Sequence, residues 1–171
     1  MLSSTVPNPT ACSENAFPSV RNAVRALIAR RNQVLMLRKL TPDGSVRYAL
    51  PGGGQCAGET LLQTLLRECA EEIGTTVDVA GLAHVAETSR PPAGRKGESR
   101  QQVEFVFSCR IADDYEPRNG PRPDKRQVGV EWVGLQYLDQ LDVRPPGMGD
   151  LIRRMAIGEG PVYVGRLPVG G

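Results

Sequence analysis

Residues 53–75 read GGQCAGETLLQTLLRECAEEIGT, a glycine turn running into a helix-forming segment that Gly74 stops. At about 100° per residue, Leu61, Leu62, Leu65, Leu66, Cys69, Ala70 and Ile73 fall within one half of the helical circle. Glu68 and Glu71 fall opposite, beside Arg67. Glu72 lands between Leu61 and Leu65, at the edge of the apolar arc. A carboxylate there costs on the order of several kcal/mol unless it is paired or metal-bound, and three like charges within one turn repel. A solvated face tolerates Glu68 and Glu71 but has no use for Glu72. A divalent cation resolves the conflict: Mg²⁺ prefers hard oxygen ligands, and positions i, i+3 and i+4 reach one spot beside a helix.

Alone, an ExxEE cluster is far more often a plain polar face than a site. The lead-in changes that. Pro51-Gly52-Gly53-Gly54 is a backbone free to take unusual dihedrals and to turn amides or carbonyls toward a ligand.

Working outward, Asn22–Ala29 and Gln33–Arg38 read as strands joined by a tight turn at Arg30-Arg31-Asn32. TPDGS, residues 41–45, is a turn, followed by an extended piece from Arg47 to Leu50 that Pro51 ends. The helix is expected from about Thr60 to Ile73. Val77–Val85 suits one or two strands, Arg90–Arg100 a basic loop, and Gln102–Ile111 a long alternating strand. A Pro-rich loop over Asp113–Lys125 leads to a short strand, Gly129–Val133, and Asp150–Ile157 reads as a helix. Residues 1–20 are expected to be a loosely held arm, 21–158 the domain, and 159–171 a tail that adds an edge strand or hangs free.

With 171 residues, 40% hydrophobic and 23% charged, the chain has room for one domain with a real core. A net charge of +2, with basic runs no longer than Arg30-Arg31 and Arg153-Arg154, gives no reason to expect nucleic acid or an acidic membrane as partner. Cys12, Cys56, Cys69 and Cys109 lack the spacing of metal knuckles or redox motifs, so reduced thiols and a cytoplasmic location are expected. Neither a signal peptide nor a membrane span is readable.

Gly53, Glu59, Arg67, Glu68, Glu71, Glu72 and Gly74 match all seven named positions of the pattern GX5EX7REUXEEXGU, where U is bulky and aliphatic. The segment therefore resembles the Nudix box. Cys69 and Thr75 stand at the two aliphatic positions, a mild departure. Tyr48–Gly53 resembles the family's strand-into-loop entry, and Glu131-Trp132-Val133 its late strand. Over residues 20–157 the resemblance implies an α/β/α sandwich, an α+β arrangement of a mixed sheet around a loop–helix–loop motif.

It also implies chemistry. Mg²⁺, or Mn²⁺ in its place, is held against a diphosphate by Glu68 and Glu72, with Glu71 direct or through water and the Gly53 carbonyl as a further ligand. Glu59 and Arg67 form an ion pair that fixes the loop, the alternatives for Arg67 being a phosphate contact or a surface charge. Gly52, Gly53, Arg38 and Arg90 are the expected substrate contacts. A carboxylate assists water in attacking phosphorus, and phosphate leaves without a covalent intermediate. Some relatives use Glu68 for this. In others the acid lies six residues before the late tryptophan, a position Arg126 occupies here, so Asp124, Glu116, Glu98 and Glu131 stay open.

The implied substrate is a nucleoside diphosphate derivative, ADP-ribose or another nucleotide sugar ahead of a modified nucleoside triphosphate. Pro91, sixteen residues after Thr75, leans that way weakly. The family also includes idle domains that bind nucleotides as sensors, but these often lose a box carboxylate and none is missing here. Relatives are often homodimers. His84 reads as a packed or surface residue, Cys56 as an inert loop residue, and Arg25 and Arg95 as solvated charges, the alternative for each arginine being a contact to the phosphates or the base.

Overall fold

The computed structural model describes residues 20–90 and 100–168. Seven strands are present among them: β1 (Val20–Arg30), β2 (Gln33–Leu40), β3 (Val46–Ala49), β4 (Asp78–Arg90), β5 (Arg100–Arg110), β6 (Gln127–Gly134) and β7 (Tyr163–Arg166). Helix α1 spans Leu61–Ile73, a 3₁₀ helix Leu135–Gln140, and α2 Met148–Ala156. No helix among these residues is long and apolar enough to cross a membrane.

Arg31 and Asn32 both have positive φ, 48° and 62°, which gives the β1–β2 turn a twist matching its strands. After two paired positions, Ala29 with Val34 and Arg30 with Gln33, the strands part company. β1 then runs parallel to β5 from Val20 to Ile28, while β2 pairs with β3 and β6. The strand order is β3-β2-β1-β5-β4-β7, with β6 on β2. Residues 163–166 of the tail thus extend the sheet, parallel to β4. The 1–19 part of the arm, and most of the basic loop with Pro91, Arg95 and Glu98, lie outside the described residues.

Strands β1 and β2 are apolar on both faces because helices cover both. Val24, Ala26, Ile28, Leu35 and Leu37 pack with Leu65, Cys69 and Ile73 of α1. Leu27, Val34 and Met36, alternating with them, pack with Met148, Ile152 and Met155 of α2. The result is the mixed-sheet α/β/α sandwich. Full burial of a side chain such as Leu65 contributes roughly 1.5–3 kcal/mol.

Thr60 caps α1 in a reciprocal box with Gln63, and Gly74, at φ 68°, ends it. The apolar arc differs from the helical-wheel expectation. Leu62 and Leu66 are 46% and 40% exposed, whereas Thr64, Leu65, Cys69, Glu72 and Ile73 are buried. The helix is rotated so that Glu72 lies inside the buried stripe rather than at its edge. Apolar counting alone misplaces the axis, because the buried face must also meet the polar glycine turn.

Candidate active site

The glycine segment runs along the free edge of β1. Ala26 N–H donates to the Pro51 carbonyl (2.8 Å), Val24 N–H to the Gly53 carbonyl (2.9 Å), and Gln55 N–H to the Asn22 carbonyl (3.0 Å). Once β1 leaves β2, its outward amides need acceptors, and this loop supplies them. The Gly53 carbonyl, expected as a metal ligand, is thus already engaged by β1. What faces Glu68 is the Gly53 α-carbon: a Cβ there would lie 2.4 Å from a Glu68 carboxylate oxygen.

Gly52 has φ +133°, and a Cβ on it would lie 2.1 Å from the Val24 carbonyl oxygen, which is backbone and cannot step aside. The two glycines therefore respond differently to one methyl group. Gly52→Ala is expected to destabilise the fold by about 2–3 kcal/mol through strain and overlap. Gly53→Ala displaces only the flexible end of Glu68, so stability stays within about 0.5 kcal/mol while turnover falls at least about tenfold. Urea unfolding and a turnover assay on both variants separate the cases; equal unfolding midpoints would sink the distinction.

Glu72 is 4% exposed. Its carboxylate accepts from Gly52 N–H (2.8 Å) and lies 3.5 Å from the Lys39 ammonium. Burial pushes its pKa above the ordinary carboxylate range, with Lys39 and the Gly52 amide pulling back. Lys39 also pairs with Asp124 at 2.8 Å, and despite partial burial this contact holds Asp124 below its usual range.

Arg67 and Glu59 form a two-pronged pair, Nε to Oε1 at 2.7 Å and Nη2 to Oε2 at 3.0 Å. Thr64 Oγ1 and Cys56 N–H also donate to Glu59 Oε2. The Arg67 hydrogen bond, then that from Thr64, lowers the Glu59 pKa to about 2. A carboxyl whose folded pKa lies below its unfolded value contributes stability above the unfolded value, and loses it as pH falls through the folded one. The clamp should therefore survive acidification through pH 4 and open near pH 2. A carboxyl ¹³C titration checks this, and a Glu59 midpoint at 4 or above would refute it.

Arg67 reaches further, with Nη1 2.8 Å from Glu68 and 3.5 Å from Glu71, while Arg122 lies 3.8 Å from Glu71. Glu59, Glu68 and Glu71 thus share Arg67, whereas Glu72 pairs with Lys39. No three His, Cys, Asp or Glu side chains among the described residues form a ready-made metal group. Glu68 and Glu72 are nevertheless adjacent turns of one helix, both against the glycine loop, and their oxygens suit a hard divalent cation. That donor set fits Mg²⁺ or Mn²⁺ once Glu68 releases Arg67.

Arg25 carries the loop from below. Its Nη1 donates to the Gly52 carbonyl (2.6 Å) and its Nε to Glu104 (2.8 Å). Glu104 is 1% exposed and also accepts from Gln102. Glu104, Arg25, Gly52 and Glu72 form one chain of hydrogen bonds from sheet to helix. The sequence alone gives Arg25 no buried partner, and the alternating run of β5 hides Glu104. A charged residue on a strand buried on both faces was the available signal. The β5–β6 loop completes the site: Gly120 N–H and the Gln127 side-chain amide donate to the Glu72 carbonyl (2.9 and 2.7 Å), satisfying an orphan of the helix end. This loop delivers Arg122 and Asp124.

Two clefts meet here. One, of about 440 Å³, holds Glu68, Glu71, Glu72, Gly52, Gly53 and Gly54. The other, of about 530 Å³, holds Arg47, Tyr48, Thr88, Arg126 and Arg144. Arg25, Lys39 and Asp124 line both. Arg38 does not line either cleft; it is exposed on the opposite side of β2 from Lys39, against Gly129. Arg90 closes β4, and its side chain lies outside the described residues. His84 is buried on β4, away from both clefts, with its Nδ1 unpartnered among the described residues.

The NUDIX domain family model matches residues 19–155. Nucleoside triphosphatase NudI of Enterobacter sp. (strain 638) is 28% identical over 123 residues, 68% of this chain and 84% of that protein. RNA pyrophosphohydrolase of Acidiphilium cryptum (strain JF-5) is 40% identical over 63 residues, 36% of this chain and 38% of that protein. A solved NUDIX hydrolase from Nitrosomonas europaea has the same fold, with a TM-score of 0.64 at 21% identity, covering 95% of this chain and 85% of that one. With the box residues gathered on one helix and glycine loop, and a family match over most of its length, this chain belongs to the Nudix family of hydrolases acting on pyrophosphate bonds.

Proposed function

We propose that the chain is a Mg²⁺-dependent pyrophosphohydrolase that cuts a nucleoside diphosphate linked to another moiety. ADP-ribose or another nucleotide sugar is the favoured substrate, with a modified nucleoside triphosphate next, in keeping with the name of NudI. The observation that carries this reading is the junction of the two clefts. Arg25, Lys39 and Asp124 stand where they meet, so a diphosphate at the junction has room for a group on either side.

Glu68, Glu71 and Glu72 would hold Mg²⁺ or Mn²⁺. Such a cation, when bound, neutralises charge on the diphosphate oxygens and supplies a Lewis acid. Arg25 and Lys39 flank the phosphates, and the Tyr48 ring with Pro145 and Pro146 offers an apolar wall for a base or sugar. Arg67, clamped by Glu59, positions the loop and balances the glutamates. Asp124, ionised at neutral pH and lining both clefts, is assigned the proton from the attacking water. Asp124→Asn should accordingly lower kcat by about 10²-fold or more with little change in KM; an unchanged kcat would return the role to Glu68. The reaction is placed in the cytoplasm, consistent with free thiols at Cys56, Cys69 and Cys109. A homodimer is carried over from relatives, and light scattering reads it directly.

The reading is tested by incubating the protein with Mg²⁺ and ADP-ribose, NADH, diadenosine polyphosphates, sugar nucleotides and oxidised dGTP, then separating the products. Cleavage between phosphates that stops with EDTA is expected. Cleavage of none of them, or cleavage indifferent to EDTA, rejects it.

A further inference from the structure

The larger cleft holds more positive charge than a diphosphate at its mouth accounts for. Beyond the shared residues it contains three arginines, Arg47, Arg126 and Arg144. One carboxylate serves two of them: Asp142 Oδ2 accepts from Arg47 Nε at 3.0 Å and from Arg144 Nη2 at 3.2 Å. Among the described residues, Arg126 has neither a carboxylate within ion-pair distance nor a hydrogen bond from its guanidinium. Three arginines at this end thus have one carboxylate partner between them, Asp142. At the junction, by contrast, each cation has its acid: Arg25 lies 2.8 Å from Glu104, and Lys39 lies 2.8 Å from Asp124.

An excess of guanidinium groups lining a recess gives it a positive potential that an entering anion meets favourably. The recess is also lined by Thr88 and Ser89 of β4 and by Tyr48, whose ring suits the group bearing the anion. A surplus of arginines favours a strongly charged oxyanion such as a phosphomonoester, about −2 at neutral pH. We propose that the half of the substrate lodged in this cleft carries a phosphomonoester in addition to the diphosphate being cut. Arg126 receives it, with Arg47 and Arg144 beside. This rests on the pyrophosphohydrolase reading above and narrows its substrate class to nucleotides phosphorylated at a second position.

Binding rather than turnover is the primary measurement. Calorimetry compares 5′-AMP with adenosine 2′,5′-bisphosphate and 3′,5′-bisphosphate on the wild type, Arg126→Ala and Arg126→Lys. At least one bisphosphate should bind the wild type about tenfold or more tighter than 5′-AMP. That ratio should fall to about twofold in Arg126→Ala, be partly restored in Arg126→Lys, and shrink with added salt. Bisphosphates no better than 5′-AMP on the wild type, or an advantage that Arg126→Ala retains, overturns the proposal. The substrate panel on the same preparation, with NADPH set beside NADH so that a second phosphate is represented, separates the two readings. Turnover without a bisphosphate advantage rejects this inference alone; a bisphosphate advantage with no diphosphate cut rejects the hydrolytic reading alone.

Discussion

Glu72→Gln and Glu68→Gln should each lower turnover of a cleaved nucleotide by about 10²- to 10³-fold at saturating Mg²⁺, while leaving the protein folded. Each change removes a full negative charge from the α1 surface that faces the glycine loop and leaves the shape of the side chain nearly untouched. For Glu72 the two readouts should move in opposite directions. Its carboxylate is buried, and burial disfavours its ionised form. A neutral amide relieves that desolvation and the repulsion from Glu68, and its carbonyl can still accept from Gly52 N–H. Lys39 keeps Asp124 as its partner. The thermal midpoint of Glu72→Gln should therefore equal or exceed that of the wild type as turnover collapses, the usual signature of a charge kept for function at a cost in stability. Turnover within threefold of wild type in both variants would remove these residues from the reaction.

Glu104→Ala should be the most destabilising of the substitutions considered, by about 3–5 kcal/mol in urea unfolding. The Arg25 and Glu104 side chains are 11% and 1% exposed and 2.8 Å apart. Removing the acid strands a guanidinium between β1 and β5, where little water reaches it. Replacing both, with Arg25→Met and Glu104→Leu, should recover much of that loss, since apolar residues of similar volume need no partner. The double variant should still be a poor enzyme, because Arg25 also holds the Gly52 carbonyl at 2.6 Å. Recovered stability without recovered turnover would show that Arg25 serves the site, through the Gly52 carbonyl or the phosphates, as well as the fold. Recovered turnover would mean that the loop is held by β1 alone. A loss under 1 kcal/mol in Glu104→Ala would show that the pair matters little to the fold.

Much of this molecule was readable along the chain, because its signals are local. The hairpin turn at Arg31-Asn32, the capped start of α1 at Thr60 and its stop at Gly74 are each decided by residues within a turn or two. The box itself is local in the same sense: i, i+3 and i+4 on a helix, behind a glycine run, put Glu68, Glu71 and Glu72 on one segment whatever surrounds it. Pairing partners were another matter. That β1 deserts β2 for β5, and that Pro51–Gly54 then occupies the edge left open, depends on strands about eighty residues apart in sequence. Composition carries no record of such a choice.

The same physics explains where the sequence and the folded chain differ. Arg25 and Arg38 look alike in sequence, each a cation in an apolar strand. Only the assembled sheet turns Arg25 onto buried Glu104, and leaves Arg38 exposed and out of the lining of both clefts. On α1, apolar counting put Leu62 and Leu66 inside, whereas docking against the glycine loop leaves them in solvent and draws Glu72 in. By itself, then, the sequence determined the helix, its caps and the identity of the acidic motif, all of them short-range consequences of backbone geometry. The tertiary structure alone decided which charges are neutralised and which are left to meet a ligand. Charge pairing is set by distances across the sheet, and those exist only once the chain has closed on itself.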